Sequence, residues 1–239
     1  MREALNLETG QPGSAEALFG TPTALARHAE LAQRAVHLGV PVSPVDDAGM
    51  AGLSETVNPQ GIVALCSFLD VPLDRVLAGS GSAESPQLVA VLAEIRDPGN
   101  AGTVLRTADA AGAGAVVFTD ASVDPYNGKC VRSSAGSLFH PAVVRGGAAE
   151  EVVAALRAAG LRVLAADGAG ERDLDDLADA GELAAPTAWL FGNEARGLPD
   201  ELAALADARV AIPIHGRAES LNLAAAAAVC LYASARAQR

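Results

Sequence analysis

From residue 88 onward the apolar positions fall into short, nearly unbroken runs, separated by stretches that repeat every three to four residues. Continuous runs read as strands buried on both faces, and the longer repeats as helices packed against them. The pattern predicts strands over residues 88–95, 115–119, 142–144, 162–166, 187–191 and 208–214. Helices are expected over 101–112, 129–134, 150–160, 198–206 and 222–237. Strands alternating with helices imply an α/β fold with a mostly parallel sheet covered on both faces. Residues 1–70 read as a smaller α/β unit, with helices over 15–18 and 24–39 and strands over 40–45 and 61–66. Residues 1–5 resemble the tail of a helix without its beginning. The Gly-, Ser- and Pro-rich stretch 71–87 reads as a linker to a domain of residues 88–239.

Composition narrows the picture. Half of the residues are apolar but only 3% are aromatic, so the core is expected to be aliphatic. The net charge of −12, from 17 basic and 29 acidic residues, argues against a general polyanion binder. It leaves room for a local basic face, with any salt-dependent polyanion affinity confined to it. Much of the acidic excess lies in 171–182. Cys66, Cys130 and Cys230 form no CxxC pair, and the four histidines show no ligand spacing. These are expected to be thiols in a reducing compartment, with no disulfide and no metal site. No leader pattern opens the chain, and the apolar run at 223–232 is too short for a bilayer, so a cytoplasmic protein without a membrane partner is expected. There is no GxxxxGK[ST] and no GxGxxG, which removes a P-loop NTPase and a dinucleotide-dependent dehydrogenase.

Three segments carry the candidate chemistry, and each follows an expected strand, where ligands gather in parallel sheets. The first is Ile95-Arg-Asp-Pro-Gly-Asn-Ala-Gly-Thr-Val-Leu-Arg106. Asn100 there is either a helix cap or a site residue, and Arg106 either snorkels from an apolar-periodic helix or acts. Gly99 and Gly102 are read as allowing close turns. The second is Leu190-Phe-Gly-Asn-Glu-Ala-Arg-Gly-Leu-Pro199. Its Glu194 can pair with Arg196 or Arg106, or simply favour a helix start, and Gly192 and Gly197 permit close backbone approach. The third is Ile212-Pro-Ile-His-Gly-Arg-Ala-Glu-Ser-Leu-Asn222, where Ser220 and Asn222 can cap the last helix. Lys129 and Arg132 lie three residues apart and share a face if their turn is helical, either as solvated charges or as a contact surface.

Together the three segments resemble the motif set of the SpoU/TrmH RNA 2′-O-methyltransferases of the SPOUT superfamily, over roughly residues 88–236. The resemblance implies a trefoil-knotted domain that binds S-adenosyl-L-methionine (AdoMet), preceded by a small substrate-binding domain resembling an RNA-binding ribosomal protein. It implies AdoMet-dependent 2′-O-methylation of a ribose in RNA, ribosomal RNA being favoured over transfer RNA, by a homodimer. The matching catalytic positions are Arg106, Asn100, Glu194, Ser220 and Asn222. Gly192, Ile212 and Leu221 match cofactor-binding positions, and Lys129 and Arg132 border the RNA entrance, with Arg145 and Arg217 as further phosphate contacts. Because arginine stays protonated, Arg106 is read as a phosphate clamp and alkoxide stabiliser, not a free base. The chain departs from the pattern in lacking a basic stretch before Leu5, which makes an N-terminally short protein or a non-catalytic RNA- or AdoMet-binding module the other expectation. Some relatives act at ribosomal drug sites, so antibiotic resistance is a further possibility.

Overall fold

Ala15–Gly20 is a strand, β1, not the helix that its alanines suggest. Pairing on both sides overrides the local helix propensity, which is a weak term against tertiary contacts. The computed structural model describes residues 1–54, 56, 58–79 and 85–239. It divides into two units, Met1–Leu69 and Asp70–Arg239. In the first unit β1 is followed by helices α1 (Pro22–Arg27) and α2 (Ala29–His37), strand β2 (Val42–Pro44), helix α3 (Asp47–Leu53) and strand β3 (Ile62–Cys66). The sheet order is β2-β1-β3, with β2 parallel and β3 antiparallel to β1. The single helix expected over 24–39 is two, because His28 leaves helical geometry at φ −113°, ψ 41°. Thr21 caps α1 by accepting from the Ala24 N–H at 3.2 Å. Residues 1–5 form one turn, with the Leu5 N–H donating to the Met1 and Arg2 carbonyls.

The second unit begins at Asp70 and so takes in the stretch 71–87 expected to be a linker. Residues 73–77 form helix α4 (Leu73–Leu77), and its buried Val76 joins the core of this unit. The Ser/Gly-rich part of that stretch, 80–84, lies outside the described residues. Then follow β4 (Leu88–Leu92), α5 (Pro98–Ala111), β5 (Ala115–Phe118), α6 (Gly128–Ser133), β6 (Ala142–Arg145) and α7 (Ala149–Ala158). The chain continues with β7 (Arg162–Ala166), β8 (Arg172–Asp173), α8 (Leu174–Asp179), β9 (Thr187–Phe191), α9 (Asp200–Ala203), β10 (Ala208–Ala211) and α10 (Leu223–Ala237). The sheet has seven strands in the order β6-β5-β4-β9-β7-β10-β8, every pair parallel.

Every residue of β4 and β9 is buried, as expected for central parallel strands between two helical layers. In β9 the Trp189 indole N–H donates to the buried Ser234 hydroxyl of α10 at 2.9 Å, which settles the one polar atom of the largest core side chain. Strands end earlier than their apolar runs. β4 stops before Glu94, whose φ is +56°, and β10 stops before Pro213, which has no N–H to give to a ladder. The acidic stretch 171–182 holds β8 and α8, two elements that its polarity concealed. Two of its acidic residues are paired: Glu182 bridges Arg162 and Arg172 at 2.7 Å each, and Glu171 meets Arg209 at 3.0 Å.

Candidate active site at the carboxyl ends of the central strands

The loops after β4, β7, β9 and β10 leave the same end of the parallel sheet, the position at which such sheets hold ligands. Between the last three lies a cavity of about 330 Å³. Phe191, Val210, Ile212, Ile214 and Leu221 supply an apolar wall, and Asp167, Glu194 and Ser220 bring polar groups to it. Among the described residues, no backbone group of residues 213–221 is spent on a backbone hydrogen bond. Apolar side chains beside uncommitted N–H and C=O groups suit a flat heteroaromatic ring that needs hydrogen bonds at its edge. Gly192, Glu194, Ile212, Ser220 and Leu221 all line this cavity. The loop after β7, with Ala166, Asp167 and Gly168, lines it too and carried no signal in the sequence.

One chain of hydrogen bonds ties the three sequence segments together. The helix cap of α5 is Asp97, not Asn100: its carboxylate accepts from the N–H groups of Gly99 at 2.6 Å and Asn100 at 2.9 Å. Asn100 is thereby free to act through its side chain. Its amide N–H donates to Glu194 Oε1 at 3.3 Å, and its Oδ1 accepts from Asn222 Nδ2 at 3.2 Å. Asn222 caps α10 with its own Oδ1, which accepts from the Ala224 N–H at 2.9 Å. Glu194 also accepts from the Asp97 N–H at 3.1 Å and the Arg96 N–H at 3.4 Å. So Glu194 pairs with neither Arg196 nor Arg106. Arg196 instead meets Glu94 at 3.0 Å, and Asn193 donates to the Glu94 carbonyl at 3.0 Å. Glu94, in a left-handed conformation that a non-glycine residue adopts at a cost, thus holds the loop after β9, a contact the sequence did not disclose.

Gly102 departs from the sequence reading and Gly192 makes a close backbone approach within its own loop. Gly102 sits inside α5, where a Cβ would lie 2.3 Å from the Cys130 carbonyl oxygen of α6, so its role is helix–helix contact and not a turn. At Gly192 a Cβ would meet Gly197 and Leu198 backbone at 2.4 Å, because the loop folds back through mutual hydrogen bonds between Asn193 and Gly197.

Lys129 reaches the cap, with its Nζ 3.0 and 3.3 Å from the two Asp97 oxygens. Its charge, with the N–H groups of Asn100 and Gly99, holds the Asp97 carboxyl below its ordinary range. Arg106 stands apart. Six residues beyond Asn100, it is about 9 Å further along the helix and on another face. It does not line the cavity and, among the described residues, has no hydrogen bond or ion pair. Exposed Arg96, Arg132 and Arg217 share that freedom, whereas Arg157, Arg162, Arg172, Arg196 and Arg209 are all paired with carboxylates. Arg145 lies 5.4 Å over the Tyr126 ring and 3.7 Å from Asp70, away from the cavity residues. Four cations without a carboxylate partner thus lie in and beside the motif segments, and Arg27, Arg75, Arg236 and Arg239 are likewise without one elsewhere among the described residues.

Residues 87–232 match the SpoU rRNA Methylase family, and residues 6–72 match the family described as RNA 2′-O ribose methyltransferase substrate binding. The 23S rRNA (guanosine(2553)-2′-O)-methyltransferase of Bacillus subtilis is 33% identical over 81% of this chain and 72% of its own length. The 23S rRNA (uridine(2479)-2′-O)-methyltransferase of Streptomyces viridochromogenes is 41% identical over 58% of this chain and 49% of its own. The crystal structure of an AdoMet-bound rRNA methyltransferase from Sinorhizobium meliloti superposes with a TM-score of 0.80, at 32% identity, covering 99% of this chain and 85% of that one.

Proposed function

The chain belongs to the SpoU rRNA Methylase family, and from that premise we propose that it transfers a methyl group from AdoMet to the 2′-hydroxyl of a ribose in 23S ribosomal RNA. The observation that carries this reading is the Glu194–Asn100–Asn222 linkage, which gathers all three motif segments beside one apolar cavity. The cavity fits AdoMet by its chemistry. An apolar wall beside unspent backbone groups at 213–221 accommodates adenine, and Asp167 and Glu194 add negative charge where a sulfonium and an ammonium are to be held. When bound, AdoMet supplies an electrophilic methyl group.

The residues of the chain then have separable tasks. Glu194 is an anchor: its carboxylate is committed to three N–H donors and holds the loop after β9 against the start of α5. Asn222 closes the third segment onto the same point. Ser220 is exposed and lines the cavity, and is assigned to meet the ribose. Arg106 stays protonated, so it would stabilise the developing alkoxide and clamp a phosphate; the hydroxyl proton would leave through that phosphate to water as the oxygen takes the methyl group and the neutral thioether departs. Holding nucleophile and methyl in line supplies much of the rate of such a transfer.

The Arg106 side chain lies outside the cavity of its own chain, which supports a homodimer in which each site is completed by the Arg106 of a second copy. Residues 6–72 are assigned to selecting the RNA structure, and the cytoplasm is where unmodified ribosomal RNA is met. The C-terminal segment is assigned to a trefoil knot. The test is transfer of tritiated methyl from AdoMet to unmodified 23S ribosomal RNA and to transfer RNA at low salt. Label in the ribosomal pool supports the reading. Label in transfer RNA alone replaces the substrate, and no label in either removes the activity.

A further inference from the structure

Lys129 is the sole lysine of the chain, and family resemblance assigns it to the RNA entrance. Its geometry is that of a committed group. Both Asp97 oxygens lie within 3.3 Å of Nζ, and the same carboxylate holds the N–H groups of Gly99 and Asn100. To meet an RNA phosphate Nζ has to leave a pair that also forms the cap of α5. A second observation concerns Gly99. A Cβ there would stand 2.9 Å from Lys129 Cε, 3.2 Å from Nζ and 2.7 Å from Asp97 Oδ1. The lysine stem therefore lies across a helix position kept bare of a side chain.

Resting on the methyltransferase reading above, we propose that Lys129 is a positioning residue for the methyl transfer. Through Asp97 it sets the amino end of α5, and with it the Asn100 amide that joins Glu194 to Asn222. The order of contacts is Lys129 to Asp97, Asp97 to the backbone of Asn100, and the Asn100 side chain to both other motif segments. The Lys129 and Asp97 side chains are 55% and 46% exposed, so the pair contributes little to stability and its loss leaves the fold intact. What it supplies is orientation.

Steady-state methylation of the full chain separates this role from phosphate contact. Lys129→Met, which keeps the stem and removes the charge, should lower kcat on the order of tenfold while leaving the KM for RNA unchanged. Its salt dependence of RNA binding should also keep the wild-type slope. Lys129→Arg should retain most of the rate. Asp97→Asn should match the Lys129→Met loss, and the double variant should add nothing to either, since both break one device. Gly99→Ala improves helix propensity yet displaces the lysine, so it should lower kcat as well. A raised KM with kcat unchanged, and a salt slope smaller by about one, would mark Lys129 as a phosphate ligand and overturn the proposal. So would additive losses in the double variant. Absence of turnover in the wild-type chain removes the parent reading and this inference together, and is told apart by needing no variant.

Discussion

Arg106 and Asn222 separate chemistry from architecture most cleanly. Arg106 is exposed and partnerless among the described residues, so its removal leaves the fold unaffected. Arg106→Ala should cost kcat on the order of a hundredfold, the typical loss for one stabiliser of a developing oxyanion, while calorimetry shows AdoMet affinity unchanged. Loss of AdoMet binding in that variant would contradict its role. Asn222 does two things with one amide: Oδ1 caps α10 and Nδ2 holds Asn100. Asn222→Ala should lose both, costing about 1 kcal/mol of stability in urea denaturation. Asn222→Asp keeps a capping oxygen and loses the donor to Asn100, so it should unfold like wild type yet turn over slowly. Asp97 adds a statement about pH. Its folded-state pKa lies below the unfolded value, so its contribution is present above the unfolded pKa and is lost only as pH falls through the depressed one. A kcat profile between about pH 5 and 9 should therefore show no ionisation that Asp97→Asn abolishes.

At the scale of elements, α5 and α6 meet because Gly102 leaves room for the Cys130 carbonyl and Ser133. Gly102→Ala should destabilise by about 1–3 kcal/mol in thermal unfolding, the cost of overpacking, although Ala favours a helix elsewhere. Stabilisation would show that the helices can separate freely. The strands 162–166 and 187–191 were legible to the residue, because each is an apolar run opened by one polar residue, Arg162 or Thr187, and closed by Asp167 or Gly192. The placement of the three motif segments after β4, β9 and β10 was legible for the same reason. Asp97 as the cap, Asn100 as the link and the loop after β7 were not. The cap is local, an Asp before Pro at the first helical position, and was overlooked; the link and the loop follow from β9 lying between β4 and β7, a strand order that no local pattern records. Short elements were lost for a different reason. β1 carries alanines that favour a helix over the strand its pairing defines, and the acidic residues of β8 and α8 hide the few buried apolar positions among them.

Over the whole molecule, the net charge is −12, and the cations available to an RNA substrate at the motif segments are few. Carboxylates neutralise the arginines of β7, β8 and β10, while Arg96, Arg106, Arg132 and Arg217 remain free at the motif segments. Binding of RNA should weaken steeply with salt, and Arg132→Ala should reduce the logarithmic slope by about one. The thiols give a second global check. Burial pushes Cys130 up to about 12 and raises Cys230 as well, whereas Cys66 is only partly buried. A thiol reagent should label Cys66 first and reach the other two only on unfolding.

The central claim is that the methyl group goes to a ribose oxygen, and alkaline hydrolysis of the reacted 23S ribosomal RNA tests it most directly. Alkaline cleavage requires a free 2′-hydroxyl, so a ladder of the RNA after reaction with AdoMet should lack a single band that the unreacted RNA shows. A complete ladder on RNA that has taken up labelled methyl would place the group on a base and contradict the account.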